Sequence, residues 1–251
     1  MNVKLAKRRF IDLHVFSNLS IGSSSIDEIA QMAVELGYRA VGLADFNKDN
    51  LNLIEDLRRK FSEYGLDLIS RVDLNCSSPS ELKRKLRFYR RKVEIISVFC
   101  RNLQVARLAA RDRRVDLLNF TYKSRQFNFF DASEASLSLK GETALEINLR
   151  DLLFAGTSGE RIQFFKICRE NVKLAKKHGV PLVFSSGARS ILEMRGPREL
   201  AAVASLLDLT EFEARETLST IPFNIVQRNR EKLNENFILP GVRRIRGEID
   251  W

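Results

Sequence analysis

Residues that could bind a metal are sparse in this chain and gather at the ends of apolar runs. In Phe10-Ile11-Asp12-Leu13-His14-Val15-Phe16-Ser17, Asp12 and His14 stand two apart in a stretch that reads as a strand. Side chains two apart on a strand share a face. An Asp-x-His-x-His run there would aim a carboxylate and two imidazoles at one cation. The second His position holds Phe16, which has no donor to offer. Asp45 closes a second apolar run, residues 40–45, and Glu146 lies within a later one, residues 143–149. Asp12, His14, Asp45 and Glu146 together are mostly oxygen ligands. They suit one hard cation held loosely and lack the imidazoles of a two- or three-metal phosphoesterase. The only other histidine, His178, sits in Lys176-Lys177-His178-Gly179 at a helix C-terminus, where a cation suits the dipole. A hydrogen-bonded polar cluster fits these residues better than a working metal centre.

Elements must position them. Ser25 with Glu28 is a capping-box pattern. Ile29, Met32, Ala33 and Leu36 share one face of the helix it opens, and Gly37 ends it. Residues 40–45 read as a strand, 51–61 as a helix and 66–74 as a third strand. Ser78-Pro79-Ser80-Glu81 supplies a cap, a proline at the first helical position and an acid at the third. Strands at 93–100, 115–120, 143–149 and 182–188 then alternate with helices at 103–111, 133–139 and 160–177, and helices follow at 197–207 and 211–218. Residues 121–131 are polar and aromatic and read as a long functional loop. This alternation, without a compositional break, predicts a single α/β domain with parallel strands over residues 1–251. Periodicity does not separate an open doubly wound sheet from a closed barrel. A last strand is expected around Ile225-Val226, and residues from about 236 to 251 are expected to form a mobile basic tail.

The chain has 251 residues, 44% of them hydrophobic, with 42 Lys and Arg against 32 Asp and Glu, a net charge of +10. That length suits one α/β barrel or two small domains, and the charge points to a polyanionic partner. Cys76, Cys100 and Cys168 are odd in number and lack CxxC spacing, so reduced cytosolic thiols are expected rather than zinc ligands or disulfides. Residues 1–9 are basic with no apolar stretch behind them, and no uncharged run approaches the ~20 residues of a membrane span. A soluble, cytoplasmic protein without a membrane partner is expected.

The stretches 10–17, 42–47, 144–148 and 182–188, in that order, resemble the polymerase and histidinol phosphatase superfamily of barrels. Nearly the whole chain more closely resembles the component 3 family of archaeal ribonuclease P, the thirty-kilodalton-type subunit. Phe10-Ile11-Asp12-Leu13-His14, Arg113-Arg114-Val115-Asp116-Leu117-Leu118, Ala144-Leu145-Glu146-Ile147-Asn148, Phe184-Ser185-Ser186-Gly187-Ala188 and Asn224-Ile225-Val226-Gln227-Arg228-Asn229 carry that likeness. The resemblance implies a TIM-like (β/α) barrel, seven-stranded or otherwise distorted. It also implies a part in removing 5′ leaders from precursor tRNA, with the RNA subunit supplying catalysis and using Mg²⁺, and a pairing with component 2. Where the superfamily has Asp-His after strand two, this chain has Asp45-Phe46; where it has Asp-x-His after strand seven, this chain has Ser186-Gly187-Ala188. No catalytic residue and no metal or other cofactor are therefore expected on the polypeptide itself.

The positive charge is better organised. Arg71, Arg101, Lys123, Arg150 and Arg189 fall at or after strand ends, where barrel loops share one functional face. Tyr122, Phe127 and Phe129 interleave with Lys123 and Arg125, a stacking-plus-charge composition, though such aromatics are as readily buried beneath the loop. A second stripe, Lys83-Arg84-Lys85-x-Arg87-x-x-Arg90-Arg91-Lys92, has no acid between Glu81 and Glu94 to neutralise it. Arg107, Arg111, Arg113 and Arg114 on the next helix would extend it. The expected RNA contacts are thus Arg71, Arg90, Arg91, Arg101, Arg107, Lys123, Arg150 and Arg189. Two enzymatic readings compete: a metal-dependent phosphoesterase using Asp12, His14, Asp45 and Glu146, and a metabolic barrel enzyme clamping a small phosphorylated substrate with the strand-end arginines.

Overall fold

A computed structural model describes residues 9–122, 124–234, 236–239 and 242–243. Its centre is a sheet of seven parallel strands: β1 (Ile11–Val15), β2 (Ala40–Leu43), β3 (Asp67–Asn75), β4 (Ile95–Phe99), β5 (Leu117–Asn119), β6 (Ala144–Asn148) and β7 (Leu182–Ser185). Each pairs with the next in sequence order. A parallel bridge between Val15 and Ala188, with Phe16 N–H donating to the Ala188 carbonyl at 2.8 Å, brings β7 back to β1. The sheet is thereby a nearly closed TIM-like barrel, and the doubly wound alternative does not hold.

The helices outside the sheet are α1 (Ile26–Glu35), α2 (Ile54–Glu63), α3 (Pro79–Tyr89), α4 (Leu103–Arg111), α5 (Ala132–Gly141), α6 (Arg150–Leu153), α7 (Ser158–His178), α8 (Pro197–Ser205) and α9 (Glu211–Glu216). Local chemistry fixes their starts. Ser25 and Glu28 form the expected capping box, as do Thr210 and Glu213 at α9, and Thr157 and Glu160 do the same at α7. Ser78 caps α3 with Pro79 at the first helical position. Gly179, at φ 71°, ends α7 in the left-handed conformation. None of the helices among the described residues is long and apolar enough to cross a membrane.

Inside the barrel the side chains stack in layers, as period-two strands require. The lowest layer is apolar, with Ile11, Leu13, Ala40, Ile69, Ile95, Leu117, Ala144 and Val183 in one cluster. A final helix, α10 (Thr220–Leu233), closes this end, inserting Ile225 and Val226 into the cluster. The strand expected around Ile225-Val226 is therefore a helix. Ile221, Ile225 and Asn229 recur at helical spacing, and Pro222 falls in the first turn, where its missing N–H costs nothing. Tertiary burial of that stripe outweighs the β-branched pair. Asn229 is fully buried and donates to the Glu94 carbonyl at 2.8 Å and to Asp116 at 2.7 Å, fastening the plug below β4 and β5. Of the expected C-terminal tail, Asn236 forms a turn, Phe237–Leu239 pairs antiparallel with Val242–Arg243, and the remaining residues lie outside the described ones.

Gly42 marks a place where the barrel wall is tight. A Cβ there would lie 2.4 Å from the Leu13 carbonyl oxygen, on backbone that cannot step aside. Gly42→Ala is expected to destabilise the fold by about 1–3 kcal/mol, read from the midpoint of urea unfolding at unchanged slope.

Candidate functional site at the barrel mouth

Above the apolar layer the barrel interior turns ionic. Arg71 follows Ile69 by two on β3, and Glu146 follows Ala144 by two on β6, so both point inward. They meet fork to fork: Arg71 Nη1 donates to Glu146 Oε1 at 2.5 Å and Nη2 to Oε2 at 2.6 Å, with both side chains wholly buried. Arg71 Nε donates to Asp73 at 2.7 Å, and Nη1 also donates to the Leu13 carbonyl at 3.0 Å. Glu146 accepts further bonds from Asn119 Nδ2 at 3.0 Å and Ser185 Oγ at 2.7 Å. His14 lies on top, with Nδ1 2.8 Å from Asn148 Oδ1 and Nε2 2.8 Å from Asp73 Oδ2.

The charges answer one another. Burial works against every ionised form, but Arg71 holds Glu146 below the usual carboxylate range, and Arg71 with His14 holds Asp73 far below it. His14 is pushed down by burial and by Arg71, yet Asp73 and Glu146 prevail and raise it above an ordinary imidazole.

Asp12, His14, Asp45 and Glu146 are each engaged by neighbouring groups of the protein. β1 slips register between Asp12 and Val15, which breaks its alternation. Asp12 Oδ1 accepts from Ser186 N–H at 3.1 Å and His14 N–H at 3.2 Å, and burial raises its pKa. Asp45 is tied to the loop after β1, accepting from Ser17 N–H at 3.0 Å, from Ser17 Oγ at 2.7 Å and from Ser20 Oγ. Burial raises Asp45 as well. Glu146 has both oxygens engaged by a guanidinium. These donors do not fit the metal centre of a phosphoesterase barrel, because a fixed cation, Arg71, already sits among them.

Arg71 thus cannot touch RNA: it is 0% exposed and its donors are spent internally. Arg90 is also turned inward, donating to Asp116 at 2.6 Å and to the carbonyls of Arg114, Val93 and Glu94 at the end opposite the mouth. Arg107 links α4 to α5 through Asp131 at 2.6 Å and Glu134 at 2.7 Å. Both are structural ties that the bare sequence could not distinguish from free cations, because their acids lie 24–27 residues away. Lys123 lies outside the described residues, as does the side chain of Phe127. Tyr122 is buried, its hydroxyl donating to the Glu146 carbonyl at 3.0 Å, so it offers no stacking face.

Among the described residues, two groups of outward cations stand out. On α3 and just beyond, Lys83, Arg84, Arg87 and Arg91 are exposed and meet no carboxylate among the described residues, whereas Lys85 pairs with Glu81 at 2.8 Å. At the mouth, Arg101, Arg150 and Arg189 rim a cleft of about 250 Å³ whose lining includes His14, Asp73, Asn119 and Asn148. Asp73, Asn119 and Asn148 were not among the expected site residues. The signal was available, since Asp73 and Asn148 follow Arg71 and Glu146 by two on the same strands, and Asn119 stands in register with Glu146.

Glu134, buried beside Arg107, makes the stability depend on pH. Burial raises its carboxyl from the ordinary 4.5 to about 7, against the lowering pull of Arg107. A raised acid pKa means the folded state holds the proton more tightly, so this contribution is complete below pH 4.5 and is lost as pH climbs through 7. Between those limits the wild type is expected to lose about 3 kcal/mol more than Glu134→Gln, measured by urea unfolding across pH.

Comparison with known proteins agrees with this fold. The family model described as RNase P subunit p30 matches residues 9–234. Ribonuclease P protein component 3 of Methanococcoides burtonii is 30% identical over 240 residues, 95% of each chain, and that of Methanosarcina mazei is 29% identical over 97% of this chain and 99% of its own. The fold matches a chain of the cryo-EM structure of archaeal ribonuclease P with mature tRNA at a TM-score of 0.79, with 24% identity, over 95% of this chain and 99% of that one. Histidinol phosphate phosphatase of Lactococcus lactis, solved with zinc, L-histidinol and phosphate, shares the fold more distantly, with a TM-score of 0.55 and 10% identity over 80% of this chain and 93% of that one. With a family model covering most of its length and a relative at 30% identity over nearly all of it, the chain belongs to the RNase P subunit p30 family.

Proposed function

We propose that this chain is a non-catalytic, RNA-binding subunit of the cytoplasmic ribonuclease P particle, which removes 5′ leaders from precursor tRNA. In this reading the RNA and its Mg²⁺ carry out cleavage, and the protein binds no metal of its own. It pairs with component 2 and other protein subunits and supplies fixed cations that reduce the folded RNA's need for bulk Mg²⁺. The observation that carries the reading is a contrast of charge: Asp73 and Glu146, at the centre of the barrel mouth, are spent on Arg71 and His14, while the cations of α3 and the rim are left facing outward. Cations presented from a rigid helix grip an RNA backbone without reading its sequence.

Reconstitution tests it. The cognate RNA and remaining proteins, assayed on precursor tRNA at low Mg²⁺, are expected to cleave more slowly when this chain is omitted, with the deficit shrinking as Mg²⁺ is raised. Equal rates with and without the chain at every Mg²⁺ concentration would contradict the proposal.

A further inference from the structure

The cleft at the mouth combines features that RNA-backbone gripping does not by itself require. Each rim arginine is backed by a ring: Arg101 lies 5.3 Å from the Phe99 centroid, Arg150 4.2 Å from Phe154 and Arg189 5.9 Å from Phe16. Such stacking restrains the stem and aims the fork. Arg150 gives its Nε to Glu193 at 2.9 Å, while Arg101 and Arg189 reach no carboxylate within salt-bridge distance among the described residues. Arg189 is held below its ordinary value first by burial and then by the charge of Arg150, which Glu193 and Asp151 do not offset. Two guanidinium groups therefore repel across an opening that an anion would relieve. Two acids line the cleft: Asp73 presents little free charge to oppose an anion, because Arg71 at 2.7 Å and His14 at 2.8 Å already claim it, and Asp151 is engaged in an interaction of its own.

The floor adds a different preference. Asn119 is 1% exposed, and its Nδ2 donates to Glu146, which fixes the amide. Its Oδ1 is buried with no hydrogen-bond partner in the protein. A buried acceptor of this kind is satisfied by a hydroxyl donor. The lining at Gly187, φ 66°, brings backbone close to the floor, where a Cβ would sit 3.2 Å from the Asn148 and Arg150 side chains. The volume of about 250 Å³ is below the roughly 300 Å³ at which ordinary small-molecule pockets begin.

We propose that this cleft binds one ribose-phosphate unit, with phosphate oxygens on Arg101, Arg150 and Arg189, a ribose hydroxyl on Asn119 Oδ1, and the base left outside. Forked guanidinium groups match phosphate oxygens in geometry as well as charge. A base outside the cleft contributes no sequence preference. The unit could belong to an RNA strand or to a free nucleotide, and the chemistry at the cleft is the same. The site deepens the RNA-binding reading and rests on it only where the strand is the source.

Calorimetric titration of the intact chain at low salt separates the cases, using adenosine monophosphate, its 2′-deoxy counterpart and a single-stranded oligoribonucleotide. Adenosine monophosphate is expected to bind, and Arg101→Ala with Arg189→Ala to weaken it about tenfold or more. Lys173→Ala with Lys177→Ala, exposed on α7 and outside both cation groups, is expected to leave this affinity unchanged. The deoxynucleotide is expected to bind several-fold more weakly. Displacement of the mononucleotide by the oligonucleotide supports an RNA strand as the source, and absence of displacement supports a free nucleotide. Circular dichroism confirms that the variants are folded. No mononucleotide binding, or binding indifferent to the rim double variant, overturns the site; equal affinity for the deoxynucleotide overturns the ribose contact. If the site fails while omission of the chain still slows particle cleavage, the accessory-subunit reading stands without it.

Discussion

Arg71→Ala is expected to destabilise the barrel by about 3–5 kcal/mol, because it leaves the wholly buried Glu146 without its charge partner. At roughly 2–4 °C per kcal/mol for a domain of this size, melting falls by about 10 °C. The loss comes chiefly from the orphaned carboxylate and not from an attractive pair removed. Two companion variants isolate that cause. Arg71→Lys keeps the charge but cannot reproduce a fork that meets Glu146, Asp73 and the Leu13 carbonyl together, so it too is destabilised, by less. Arg71→Met combined with Glu146→Leu removes both charges, and the double variant is expected to be clearly more stable than the sum of the two single changes implies. Additive single changes would show that Arg71 and Glu146 are not coupled, and that Arg71 does not occupy the charge position assigned to it.

Charge removal on α3 should have the largest effect on RNA. Lys83, Arg84 and Arg87 project from a helix whose other face buries Leu82 and Leu86, and Arg91 follows just beyond its end. The stem is rigid and the heads are free. If three of them contact phosphates, the triple variant Arg84→Ala, Arg87→Ala, Arg91→Ala lowers the salt slope of binding by about 2–3 and the affinity at moderate salt by on the order of 10²-fold. The same substitutions in Arg90 and Arg107 should act differently. They sever ties to Asp116 and to Asp131 and Glu134, so they lower thermal stability and leave the salt slope unchanged. Filter binding across a salt series, with melting curves alongside, distinguishes a contact from a strut.

The residues that were legible in the sequence are those whose partners are near in the chain. Ser25 and Glu28, Ser78 and Pro79, and Thr210 and Glu213 carry their structural instructions within four residues, and the helices begin where they say. Alternation of strand and helix gave the order of the barrel, and the Phe16 and Ala188 positions showed that the metal ligands were incomplete. The buried ion pair at the centre of the mouth was not legible. Arg71 looks like any strand-end arginine until β3 and β6 come together, 75 residues apart, and present it to Glu146. Arg90 and Arg228 converge on Asp116 from opposite directions in the chain for the same reason. Ile225-Val226 misled because β-branched residues favour strands locally, whereas the open lower end of the barrel rewards a helical apolar stripe.

One measurement bears most directly on the proposal that this barrel serves RNA without itself catalysing. The isolated chain, with Mn²⁺ or Zn²⁺ added, is assayed for release of phosphate from an activated phosphoester and for cleavage of precursor tRNA. No turnover above that of folded His14→Ala is the expected result, since Arg71 stands where a metal would have to draw on Glu146. Metal-dependent turnover that disappears in folded His14→Ala would make the mouth a working metal centre and contradict the account.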